Sequence, residues 1–198
     1  MSARRVNRVP VNLHPQESGL SKKEIRIILR AADEIIMEGG RNLLAKLLKG
    51  SKEKVILQRG LENTKNYGYF ENLSVFEIIS KIDWLIINRY LKIEYDYRLP
   101  LIVFAPEGWE IEKDTYTDEI IEEFDKLIES GVDYYNMSFL KDAPRDMVFL
   151  LLEKIRGKKD PKYIPILKQW KKIDYKKVRA RINSVIKSIK NSKAKKEI

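Results

Sequence analysis

Apolar positions recur every three to four residues through most of the chain, and that period predicts a mainly α protein. Ser21-x-x-Glu24 forms a capping box, in which a hydroxyl and a carboxylate satisfy free amides at a helix start. Ile25, Ile28, Leu29, Ala32, Ile35 and Ile36 then line one face, and Gly39-Gly40 ends the predicted helix. A short helix is expected from Arg41 to Gly50 with Leu43, Leu44, Leu47 and Leu48 inward. Another is expected to start at Ser51 as its N-cap and to run to Arg59. After the loop Asn66-Tyr67-Gly68-Tyr69, a second capping box, Ser74-x-x-Glu77, opens a strongly apolar helix. Phe76, Ile78, Ile79, Ile82, Leu85 and Ile86 place most of that helix in a core, with Glu77, Lys81, Asp83 and Asn88 outward.

The period then changes. Tyr90-Leu91-Lys92-Ile93-Glu94-Tyr95 alternates apolar with polar, and Leu101-Ile102-Val103-Phe104 follows the turn-like Asp96-Tyr97-Arg98, which predicts a hairpin with Pro100 on an edge strand. Three helices running straight into a hairpin is the order of a winged helix-turn-helix. The expected fold is therefore mainly α with a small β-wing, followed by a C-terminal α-helical extension. In that extension Thr117-Asp118-Glu119 is expected to cap a helix closed by Gly131. Asp142-Ala143-Pro144, Asp160-Pro161 and Asp174 are expected to start three more. The last pair reads equally as one HEAT-like repeat unit or as a plain helical hairpin.

Charge sharpens this picture. The formal net charge is +10, arranged as 13 Lys+Arg against 6 Asp+Glu in residues 1–60, 9 against 19 in 61–152, and 17 against 4 in 153–198. Basic flanks around an acidic middle suit a polyanionic partner, because cations that neutralise phosphates release condensed counterions. There is no Cys, which removes disulfides, Cys-ligated zinc and thiol nucleophiles; the single His, His14, stands in a polar tail. Without a Gly-x-x-x-x-Gly-Lys-Ser/Thr phosphate loop the chain has no motor of that kind, and the acidic cluster Glu107, Glu110, Glu112 and Asp114 reads as a solvated face. No cofactor, no metal and no enzymatic activity are expected, nor any membrane span. The expected location is cytoplasmic, associated with the nucleoid.

The ordered set Leu47-Leu48-Lys49-Gly50-Ser51-Lys52, Arg59-Gly60, Tyr67-Gly68, Leu73-Ser74 and Glu107-Gly108-Trp109 resembles the RQC domain of RecQ-family helicases over residues 25–112. In layout the chain is similar to the stand-alone, minor RQC-type DNA-binding proteins of bacteria. The resemblance implies a winged helix that binds duplex DNA mainly through its backbone, near ends or junctions. It carries a basic residue and a phosphate-contacting Ser onto Lys49 and Ser51, with Lys52 and Lys54 beside them, although Ser51 could instead only cap its own helix. It also implies a strand-separating wing. Tyr97 and Arg98 occupy its tip, where Tyr97 could stack on an end base pair or pack back on the sheet. The family's basic position after the Tyr-Gly loop falls near Glu71 here, a departure that would repel phosphate.

Together these features give DNA-contact candidates Arg41, Lys46, Lys49, Ser51, Lys52, Lys54, Arg59, Tyr97 and Arg98. The expected organisation is a basic flexible arm (1–20), an RQC-like winged-helix domain (21–114), an α-helical domain (115–190) and a basic tail (191–198). The expected function is DNA binding without catalysis, in repair, recombination or replication, with duplex, forked or end-bearing DNA as partner. The rivals are an adaptor whose helical tail recruits a helicase, chaperone or repair enzyme, and a winged-helix transcriptional regulator.

Overall fold

The structure, a computed structural model, describes residues 6–132 and 134–194. Arg4 and Arg5 of the expected arm and residues 195–198 of the expected tail lie outside the described residues. The chain divides into two compact units, up to Glu112 and from Lys113. The expected mainly α fold with a small β-wing and a helical C-terminal region is what the structure shows.

In the first unit, α1 (Lys22–Asp33) opens on the expected box: the Ser21 hydroxyl accepts from the Glu24 amide at 3.2 Å, and the Glu24 carboxylate accepts from the Ser21 amide at 2.9 Å. It stops before Ile35, short of the expected Gly39-Gly40 end. The chain turns away because the Met37 amide and the Gly39 carbonyl pair with Ile102 of the wing, at 3.1 and 2.9 Å. Between Glu34 and Glu38 the chain runs through turns, with Met37 at φ 60°, and these bonds tie the turn to the sheet. α2 (Arg41–Lys49) and α3 (Lys54–Gln58) follow, then a single 3₁₀ turn, then α4 (Val75–Ile87), which carries the second capping box, Ser74 with Glu77. Ile28, Leu29, Leu44, Leu47, Leu48, Ile56, Ile78, Ile82 and Leu85 meet in one core. Two α4 residues reverse expectation: Phe76 is 67% exposed, and Asp83 is completely buried.

The wing pairs β1 (Leu91–Asp96) with β2 (Leu99–Phe104) antiparallel, Leu91 opposite Phe104 and Asp96 opposite Leu99. Tyr97 and Arg98 form the two-residue tip, Tyr97 in the left-handed region at φ 51°. α5 (Pro106–Glu129) begins directly after the wing. Its first turn lies against the chain leaving α4 so closely that a Cβ on Gly108 would come within 1.9 Å of the Tyr90 carbonyl oxygen. Trp109 then packs on Phe104, ring centroids 5.8 Å apart. The Gly-Trp pair of the sequence motif is thus a packing requirement where the wing ends.

The expected cap at Thr117 is not one. Thr117 sits inside α5, fully buried, and its hydroxyl donates to the carbonyls of Lys113 and Asp114 at 2.8 and 2.9 Å. A hydroxyl satisfied by the preceding turn is compatible with an unbroken helix. In the second unit α6 (Ser138–Lys141) and α7 (Arg145–Lys158) precede a 3₁₀ turn at Pro161, and then α8 (Ile164–Ile173) and α9 (Lys176–Ala194) complete it. α9 packs on both α7 and α8. Tyr163 and Trp170 are fully buried there. Trp170 Nε1 donates at 2.7 Å to Asp174, the buried carboxylate between α8 and α9.

Candidate nucleic-acid interface

The motif residues between Leu47 and Phe70 form one backbone junction. α2 leaves its last carbonyls without helical partners, and the Tyr-Gly loop supplies them: the Gly68 amide donates to Leu47 at 3.0 Å and the Phe70 amide to Leu48 at 2.8 Å. Such proximity demands two glycines. Gly50 (φ 75°) and Gly68 (φ 71°) both adopt left-handed conformations, and a Cβ on Gly50 would lie 3.0 Å from the Gly68 Cα. Tyr67 closes the junction by donating its hydroxyl to the Ser51 carbonyl at 3.1 Å. The spacing Gly50-Ser51 to Tyr67-Gly68 therefore records a contact between two turns.

This junction fixes the basic segment that leaves α2. Ser51 is not the N-cap of α3; Glu53 holds that position. The Ser51 amide is spent on the Lys46 carbonyl at 2.9 Å, and its hydroxyl accepts from the Glu53 amide at 3.2 Å. A local turn has captured the groups that a phosphate cradle would need, although the hydroxyl can still donate. Lys49 Nζ donates to the Glu71 carbonyl, and Lys46 pairs with Glu53 at 2.6 Å. Lys52 and Lys54 are exposed and enter no ion pair among the described residues. Arg59 stands 3.8 Å from Glu38. Arg41 is drawn inward: its Nη1 lies 2.5 Å from Oδ1 of Asp83, and the same nitrogen donates to the Asn12 carbonyl at 3.1 Å.

At the wing tip Tyr97 is 72% exposed, so it does not pack back on the sheet. Arg98 is exposed but tethered, Nε donating to the Asn7 carbonyl at 2.9 Å. The described part of the N-terminal segment makes hydrogen bonds to the wing and to α4. Val9 donates its amide to the Arg98 carbonyl at 3.1 Å and accepts from the Tyr95 hydroxyl at 2.9 Å; the His14 amide donates to Asp83 at 2.8 Å. Arg8 lies over the Tyr95 ring, 4.9 Å from its centre. Sequence reasoning missed Arg8 because nothing in an irregular Pro-flanked segment signals docking.

The exposed side of α4 offers little for reading bases. Val75, Phe76 and Ile87 are apolar, and Asn88 donates to its own helix at the Trp84 carbonyl. Lys81 pairs with Glu24 at 2.8 Å. Burial raises the Glu24 carboxyl, but hydrogen bonds from Lys81 and Ser21 outweigh it and bring the group down to about 2. The Ser74 hydroxyl and amide likewise hold Glu77 below the usual carboxylate range. Both acids are charged and committed to their caps.

The RQC domain family matches residues 20–126, just over half of the chain, from the start of α1 nearly to the end of α5. The chain belongs to the RQC domain family. It is 27% identical over 86 residues to the ATP-dependent DNA helicase RecQ of Bacillus subtilis (strain 168), a match that spans 43% of this chain and 14% of that protein. No solved structure matches. The RQC domain is a DNA-binding winged helix found in RecQ helicases and is not itself catalytic. The Gly50–Gly68 junction, the Ser74 cap and the Gly108 approach all lie inside the matched region. Among the described residues no group of acids and His is arranged to hold a metal, and no helix is long and apolar enough to cross a membrane.

Proposed function

We propose that this RQC protein is a non-enzymatic DNA-binding protein that grips duplex or branched DNA through backbone phosphates, in repair, recombination or replication at the nucleoid. The observation that carries this reading is the combination of an exposed basic turn at Lys52 and Lys54, without ion pairs among the described residues, and a bare aromatic wing tip at Tyr97, on a winged helix whose α4 offers few base-reading groups. Phosphate contacts position a protein without reading sequence, and bidentate polar side chains in the major groove are what sequence reading requires. Lys46, Lys49, Ser51 and Arg59 extend the same contact by exchanging weak surface partners for phosphate. Arg98 does so beside Tyr97. Arg41 supports the site from beneath through Asp83. Residues 21–114 form the DNA-binding domain in this reading, and 115–190 a helical domain of HEAT-like or plain hairpin type.

The test is fluorescence anisotropy against blunt duplex, forked, single-stranded and duplex RNA probes across a salt series. Lys52→Ala with Lys54→Ala should weaken binding equally across sequences and lower the salt slope by about 0.9 for each phosphate no longer neutralised. Unchanged affinity and slope would refute the assignment.

A further inference from the structure

The geometry points to a second phosphate-binding face on α9 of the C-terminal unit, which takes the backbone of duplex DNA without using the winged helix. The inference takes its ligand class from the reading above, but its residues, from Lys141 onward, lie outside the family match. On a 100° helical wheel Lys176, Arg179, Asn183, Lys187 and Lys190 fall along one stripe, and all are exposed. The buried face, Val178, Ile182, Val185 and Ile189, lies on the other side. No acid interrupts the stripe. Between 153 and 194 the acids are already engaged: Glu153 with Arg156 and Arg181, Asp160 at its 3₁₀ turn, Asp174 with Trp170. None of the four cations of the stripe enters an ion pair among the described residues.

The start of α9 carries the second observation. Its first turn holds Lys176 and Lys177 and no acid. Cations there oppose the helix dipole, a cost of about 0.3–1 kcal/mol each, which the buried Asp174 carboxylate before the helix, accepting from the Tyr175 amide at 2.6 Å, offsets in part. Two further cations converge on the same end. Arg145 of α7 and Lys141 of α6 lie over the Tyr175 ring, 4.7 and 5.6 Å from its centre, immediately before Lys176. Asp146 faces Lys113 instead, at 3.2 Å, and Asp142 remains exposed in the α6–α7 connector. Arg145 also stands 3.4 Å from Asp174, so an anion at this end would be met first by Lys141, Lys176 and Lys177, from two helices.

Spacing favours a nucleic-acid backbone over a single anion or a short acidic peptide. Lys176 with Arg179, and Lys187 with Lys190, form two cationic pairs eleven residues apart, about 16 Å along the helix axis. That span reaches across the major groove, about 12 Å wide, from one phosphate wall to the other.

Because the chain has no native Cys, Asn183→Cys gives one unique thiol in the middle of the stripe. The full chain, labelled there with a benzophenone and irradiated with duplex DNA, should cross-link to it. A label at Glu123→Cys on α5 should not. Replacing Lys176, Arg179, Lys187 and Lys190 together by Ala should abolish the cross-link and lower the salt slope by about 2 to 4. All four are exposed, so circular dichroism should show an unchanged fold. If the cross-link persists when Lys52, Lys54 and Tyr97 are all Ala, the face works by itself. Absence of the cross-link with an unaltered slope overturns the second face. The winged-helix reading stands or falls separately, on whether the Lys52, Lys54 and Tyr97 substitutions weaken binding.

Discussion

Arg41 and Asp83 form a buried ion pair, Nη1 to Oδ1 at 2.5 Å, with Asp83 wholly shielded from solvent and Arg41 19% exposed. The remaining Asp83 oxygen accepts from the His14 amide, so one carboxylate ties α2, α4 and the N-terminal segment together. Removing one partner of such a pair leaves an uncompensated charge inside. Arg41→Ala should therefore destabilise the protein by about 3 kcal/mol in urea unfolding, while DNA affinity per folded molecule changes little. A selective loss of affinity with stability intact would place Arg41 in the interface instead.

Two glycines in helices should respond oppositely to the same substitution. Gly108→Ala puts a methyl 1.9 Å from the Tyr90 carbonyl oxygen. That clash overrides the better helix propensity of Ala, and thermal denaturation should show a large fall in Tm. Gly157, in α7, has nothing within 4 Å of the position a Cβ would take. Gly157→Ala should stabilise by about 0.5–1 kcal/mol.

Acid should weaken the α1 cap in a defined window. The Glu24 carboxyl, held down to about 2 against an ordinary 4.5, binds its proton later in the folded chain than in the unfolded one. Its contribution is complete above about pH 4.5 and fades as pH falls toward about 2. Glu24→Gln keeps the cap geometry but removes the charge. Its deficit against the parent, up to about 1 kcal/mol at neutral pH, should shrink through that window in urea titrations.

Tyr97→Ala should leave stability within about 0.5 kcal/mol, since the ring is 72% exposed. Base stacking is worth about 1–3 kcal/mol, so affinity for blunt or forked DNA should fall on the order of tenfold, and for a sealed circle much less. Equal losses on both substrates would deny Tyr97 an end-stacking role.

Local chemistry is legible in the sequence and long-range pairing is not. Both capping boxes, the hairpin and the closing Gly131 involve residues a few positions apart, and each forms where the pattern puts it. Ser51 and Thr117 depart from the pattern because a hydroxyl can satisfy a turn or a preceding carbonyl as well as a helix start. Phe76 and Asp83 exchange places for a different reason. Helical periodicity assigns apolar residues inward and acids outward, but Asp83 is drawn in by Arg41 from 42 residues away, and no period encodes that. The motif glycines are recognisable by resemblance; their cause, contact with Gly68 or with the Tyr90 carbonyl, needs the backbone path.

The docked arm changes what the wing tip can do. The Arg98 Nε–H that a phosphate would take is already donated to the Asn7 carbonyl, and Val9 is bonded on both sides to the hairpin. DNA arriving at the tip must displace part of the protein's own chain to reach that donor. In the proposed complex residues 7–9 would act as a tethered competitor, at an effective concentration fixed by the fold rather than by dilution.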